Sequence, residues 1–167
     1  GGSMLNADET KVAFNGPEGQ FAIRTLARLV SEGGMPNLDQ PAMRAAFAAG
    51  KTGIHVTSTS DLNKVTQMVG DKFALKTHTF PDVVANTGRL PAGGNVVMIL
   101  AKDKAKRDAS WEVVKFWTGP KGAAIMAETT GYMPPNKVTN DVYLKDFYVK
   151  NPNNYTAVKQ LPLLTKW

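Results

Sequence analysis

The chain has 167 residues, 43% of them hydrophobic, which is enough for one domain with a core, and its longest apolar run, Val96 to Ala101, stops at Lys102-Asp103-Lys104, far short of a bilayer crossing. It has no cysteine, so disulfides, thiolate metal ligands and thiol nucleophiles are excluded. Its net charge of +6 favours an anionic ligand or an acidic partner surface, but not nucleic acid: carboxylates interrupt the densest basic stretch, Lys102 to Asp108, and no aromatic there can stack a base. Gly1-Gly2-Ser3-Met4 reads as a linker scar, with no basic segment and apolar signal region ahead of the first structured residues.

In chain order, Asn15 and Glu18 have the spacing of a capping box, Pro17 lies in the first turn, and Ala22, Ile23, Leu26, Leu29 and Val30 follow helical spacing as far as Gly33-Gly34. Asp39 caps a second helix, with Pro41 near its start, Met43 and Phe47 on one face and Gly50 as its stop. An extended run at 52–57 follows, placing Ile54 and Val56 on one side, and Ser58-Thr59-Ser60-Asp61 then offers several N-caps for a third helix striped by Leu62, Val65, Met68 and Val69 and ended by Gly70. A second strand is expected at 73–80, an exposed connection at 81–92 and a buried strand at 95–101 behind Gly93-Gly94. Asp108 opens a helix whose Ala109, Val113, Phe116 and Trp117 face a core, and Gly119-Pro120 starts another through Met126. Beyond Thr130-Gly131-Tyr132-Met133-Pro134-Pro135, short helical patterns at 143–148 and 155–161 predict peripheral packing. Strands alternating with helices give an α/β layer fold in one unit, residues 5–167, without internal repeats.

Three segments in register carry a resemblance to a known family: Ala45-Ala46-Phe47-Ala48-Ala49-Gly50-Lys51-Thr52-Gly53-Ile54; Gly93-Gly94-Asn95-Val96-Val97-Met98-Ile99 with the helix Ala109 to Trp117; and Thr130-Gly131-Tyr132-Met133-Pro134. Together they resemble the family 1 extracellular solute-binding proteins of bacterial ABC importers. Ser58-Thr59-Ser60, the Gly93 pair and Tyr132 give the chain its closest likeness to the sugar and glycerol 3-phosphate or glycerophosphodiester binders; Gly53-Ile54-His55 departs from the Ala-Met and apolar residue usual there. The resemblance implies part of a type II periplasmic binding protein fold, helices packed on a mixed sheet, with residues 5–167 corresponding mainly to the C-terminal lobe. It also implies a missing N-terminal lobe, an ABC permease as partner and a periplasmic location, the signal peptide being absent.

Ser58, Thr59 and Ser60 stand where a strand gives way to a helix, so hydroxyls and unsatisfied backbone N–H groups gather at one spot; simple N-capping explains any one of them equally well. Gly93 and Gly94 let backbone N–H groups approach an anionic oxygen, or merely permit a turn. Tyr132, between Gly131 and Pro134, offers a ring to stack on a polyol and a hydroxyl to bond it. Trp111 and Trp117 are assigned to the core, and Trp167 is left without a role. His55 and His78 are isolated, so no metal is expected, and the usual nucleophile-elbow and phosphate-loop motifs are missing. The expected function is capture of a small sugar, polyol or glycerol phosphate, with no cofactor and no catalysis. Two alternatives stand beside it: a non-binding lobe that self-associates as a homodimer, and a phosphoester-processing enzyme.

Overall fold

The computed structural model describes residues 2–82 and 88–165. Helix α1 spans Pro17–Ser31 with proline in its first turn, where the missing N–H costs nothing. Its N-cap is Gly16 and makes no side-chain capping bond, so the expected Asn15–Glu18 box does not form; Asn15 offers its backbone carbonyl to Gln20 Nε2 instead. Helix α2, Gln40–Ala48, is capped by Asp39, whose carboxylate accepts from the backbone N–H of Ala42. Helix α3, Leu62–Val69, follows a short 3₁₀ turn at Thr59–Asp61.

Helix α4, Lys104–Thr118, starts earlier than the expected Asp108 because Asp103 supplies the cap, accepting from the N–H of Lys106. Gly119 separates it from α5, Pro120–Thr130, which runs past the expected end at Met126. The two cross closely at Gly122, where a side-chain carbon would collide with the Phe116 carbonyl oxygen. After a π-helical turn at Thr139–Tyr143 come α6, Lys145–Lys150, and α7, Pro152–Lys159.

The expected sheet is the main departure. Among the described residues the only ladder pairs β1, Leu90–Pro91, in parallel with β2, Leu164–Thr165; Leu5 and Val12 add one isolated antiparallel bridge. The segments 52–57, 73–80 and 95–101 form no strands, and the helices pack on one another: α2 on α3, α3 on α5, α4 on α5 and α6 on α7. A strand becomes a strand only when another edge takes its N–H and C=O groups. For 73–80 that role falls to amide side chains. Asn153 Oδ1 accepts from the N–H of Thr77 at 3.2 Å and its Nδ2 donates to the Leu75 carbonyl at 3.0 Å, while Gln160 Oε1 accepts from the N–H of Phe80 at 2.8 Å.

Two small cores result among the described residues. Phe47, Ala48, Val65 and Val69 join α2 to α3, with Met68, Phe73 and Leu75 against them. Ala124, Ala127, Leu144 and Tyr148 join α5 to α6, so the stretch expected to be peripheral builds half of a second core. There the Tyr148 hydroxyl donates to Asn140 Oδ1 at 2.7 Å, and burial pushes its pKa up to about 12.

Other apolar faces remain open. Neither α1 nor α4 buries a residue, and Trp111 and Trp117, assigned to a core from the sequence, are 52% and 49% exposed because no sheet of the described residues covers α4. Ile54, Val56, Val96, Met98 and Leu100 are exposed as well. The expected connection 81–92 falls partly, and Trp167 wholly, outside the described residues.

Candidate solute-binding site

Of the residues singled out in the sequence, Ser58, Thr59 and Ser60 form one turn, and the structure brings Gly131, the neighbour of Tyr132, against it. The chain leaves the extended segment 52–57 and tightens into the 3₁₀ turn Thr59–Asp61, with Ser58 as its N-cap. Ser58 Oγ lies 2.9 Å from Ser60 Oγ and accepts from the N–H of Ser60 at 3.3 Å. The N–H of Asp61 donates to the Ser58 carbonyl, and that of Leu62 to the Thr59 carbonyl. The N–H groups of residues 60 to 62, expected to be open to a ligand, are therefore satisfied within the turn. What this surface presents is a set of hydroxyls.

Tyr132 follows Gly131, which ends α5 in the left-handed conformation at φ 85°. A side-chain carbon at Gly131 would lie 3.0 Å from Leu62 Cβ, 3.2 Å from Asn63 Oδ1 and 3.2 Å from the Thr59 carbonyl oxygen, so only glycine lets the two turns meet. Asn63 Nδ2 fastens the contact by donating to the Glu128 carbonyl at 2.8 Å. Tyr132 follows half-buried, its N–H donating to Thr130 Oγ1 at 3.0 Å.

Gly93 and Gly94 are held elsewhere. The N–H of Ala92 donates to the Thr165 carbonyl beside β2, and the N–H of Gly93 donates to the Pro91 carbonyl at 3.1 Å, so the Gly93 donor assigned to a ligand already has a backbone partner. Open space surrounds Gly94. None of these contacts reaches the Ser58 turn.

The residues missed in the sequence lie beneath that turn. Asp61 was one of several candidate N-caps, but its carboxylate makes no capping bond. It accepts from Arg44 Nη2 at 2.7 and 3.0 Å, from Thr57 Oγ1 at 2.8 Å and from Gln40 Nε2 at 3.2 Å. Burial alone would raise the Asp61 pKa; the bonds from Arg44, Thr57 and Gln40, with the Arg44 charge, outweigh it and hold the carboxyl below its ordinary value. The one available signal was polar Gln40 and Arg44 at helical spacing on the face that continues into Phe47 and Ala48. His55 stacks on Phe47 with ring centroids 5.5 Å apart, and burial, partly opposed by Asp61 and reinforced by Arg44, lowers its pKa. Arg44 Nε, Thr52 Oγ1 and His55 Nε2 are buried without a hydrogen-bond partner among the described residues.

One apolar groove lies where 97–100 crosses Val113 and Trp117 of α4, and another between Phe116 of α4 and Ile125 of α5 runs to Thr130, whose hydroxyl accepts from the Tyr132 N–H.

A family model described as bacterial extracellular solute-binding protein matches residues 1–156. The chain belongs to that family. No curated protein and no solved structure gives a match. As a bacterial extracellular solute-binding protein it falls among the solute-capturing components of ABC transport systems, which work outside the cytoplasm and deliver a small solute to a membrane permease. The family is generally non-enzymatic.

Proposed function

We propose that this solute-binding protein captures a small, hydroxyl-rich solute at the surface formed by Ser58, Thr59, Ser60 and Tyr132. The observation that supports the proposal is the packing of Gly131 against the Thr59 carbonyl, which brings the backbone next to Tyr132 up to the turn that carries the hydroxyls. Hydroxyls that both donate and accept match the alternating donors and acceptors of a polyol, and an aromatic face covers the C–H surface of a sugar ring. A sugar or polyol fits this surface better than a phosphate, because the N–H groups of Ser60, Asp61 and Leu62 are committed within the turn and Arg44 is committed to Asp61. Glycerol 3-phosphate and glycerophosphodiesters are the competing ligands.

Resemblance to two-lobed receptors supports the further reading that this chain is mainly a C-terminal lobe. Its exposed Ile54, Val56, Val96, Met98 and Leu100 suit a surface that more chain would cover. In such a receptor a second lobe closes on the ligand, as a population shift driven by its higher affinity for the closed state.

Calorimetric titration with a disaccharide, a linear polyol, glycerol 3-phosphate and a glycerophosphodiester tests the proposal, with Tyr132→Ala as control. Saturable heat with the disaccharide or polyol, weakened by the substitution, is the expected result. Preference for the phosphorylated pair, or an affinity unchanged by Tyr132→Ala, overturns the assignment.

A further inference from the structure

We infer that Thr57, Asp61 and Arg44 form a positioning unit that sets the affinity of the hydroxyl turn; this rests on the solute-binding role proposed for Ser58, Thr59 and Ser60. Thr57 and Asp61 are the residues on either side of those three, and the Thr57 hydroxyl donates to Asp61 Oδ2 at 2.8 Å. One bond thus closes the loop at its base, and the three hydroxyl-bearing residues are the arc it spans. Asp61 is in turn fixed to a different element. Arg44 Nη2 meets both of its oxygens, and Gln40, one turn earlier on α2, adds a third donor. The Arg44 and Asp61 side chains are only 10% and 12% exposed, so the pair is walled off from the water that would otherwise compete for it.

None of the three need touch the solute. Their effect is pre-organisation: a loop already held in the bound shape loses less conformational entropy on binding than one that must be ordered by the ligand. The geometry also separates two tasks. Arg44–Asp61 ties the turn to α2, so breaking it disturbs the fold. Thr57–Asp61 ties only the ends of the arc together, so breaking it loosens the arc and leaves the ion pair in place.

The test compares Thr57→Val, Thr57→Ser and the unaltered full chain by calorimetry with a disaccharide and a linear polyol as probes, with thermal unfolding of each protein measured in parallel. Valine keeps the branched shape of threonine and removes the hydroxyl; serine keeps the hydroxyl. The expected result is affinity on the order of tenfold weaker for Thr57→Val and recovery in Thr57→Ser, with an unfolding temperature lowered only by the one bond lost at Asp61 and far less than in Arg44→Met. Equal affinity in Thr57→Val and the unaltered chain, while Ser58→Ala and Tyr132→Ala each weaken binding, overturns the positioning role and spares the binding site. If the unaltered chain binds neither probe, or Ser58→Ala and Tyr132→Ala leave binding unchanged, the binding site itself is wrong and the positioning role falls with it.

Discussion

Arg44 places a single guanidinium nitrogen, Nη2, between both carboxylate oxygens of Asp61, at 2.7 and 3.0 Å, and the two residues join α2 to the turn that opens α3. A buried pair of this kind gains little over a well-packed apolar pair, because desolvation offsets most of the attraction, but removing one partner strands a charge. Arg44→Met should therefore lower the unfolding free energy by about 3–5 kcal/mol. The double variant Arg44→Met/Asp61→Leu should recover part of that loss. Urea unfolding of both variants measures the difference, and a double variant no more stable than the single one would show that packing, rather than the stranded charge, sets the cost.

The same neighbourhood makes the protein sensitive to acid. His55 has a pKa below its ordinary value of 6.5 in the folded state, with burial as the largest cause, so in the unfolded chain it takes up a proton first. The unfolded state binds more protons in that window, and stability falls as pH drops below 6.5 and through the folded value. Asp61, also held below its ordinary value of 3.8, adds a second loss of stability as pH falls from there. His55→Phe should preserve a ring against Phe47, remove the partnerless Nε2 and abolish the first limb while leaving the second. Unfolding midpoints measured from neutral pH into acid distinguish the two limbs.

Gly131 joins the two turns of the candidate site, and its substitution should be felt in both stability and binding. Gly131→Ala forces a side chain into the left-handed region at φ 85° and sets its carbon 3.0 Å from Leu62 Cβ. A loss of about 1–3 kcal/mol is expected from backbone strain and crowding together. Solute affinity should fall with it, because Gly131 is then pushed off the Thr59 turn and carries Tyr132 with it. Thermal unfolding and titration of the same variant read the two effects, and an unaffected affinity would separate Tyr132 from the hydroxyl turn.

Local chemistry made the helices legible. Asp39, Pro41 and Gly50 bracket α2, Gly70 ends α3, and Gly119-Pro120 divides α4 from α5, each by its own backbone preference or by a side chain meeting a backbone group a few residues away. The strands were not legible in the same way. The pattern of Val, Ile and Leu at 95–101 says that a segment can extend, but whether it becomes a strand depends on an edge elsewhere in the chain, and at 73–80 the partners proved to be Asn153 and Gln160. The burial expected for Trp111 and Trp117 failed for the same reason: it presumed a sheet over α4.

The site divides along this line. The sequence by itself determined the hydroxyl row Ser58-Thr59-Ser60, the aromatic turn at Gly131-Tyr132 and, through motifs in register, the solute-binding family, because each is a property of neighbouring residues. Only the tertiary structure decided that Gly131 touches Thr59, that Gly93 bonds to Pro91, and that Asp61 serves Arg44 and Thr57 rather than capping α3. Contacts between distant residues depend on how helices pack, and packing is chosen by the whole buried surface at once, which no local run of residues encodes.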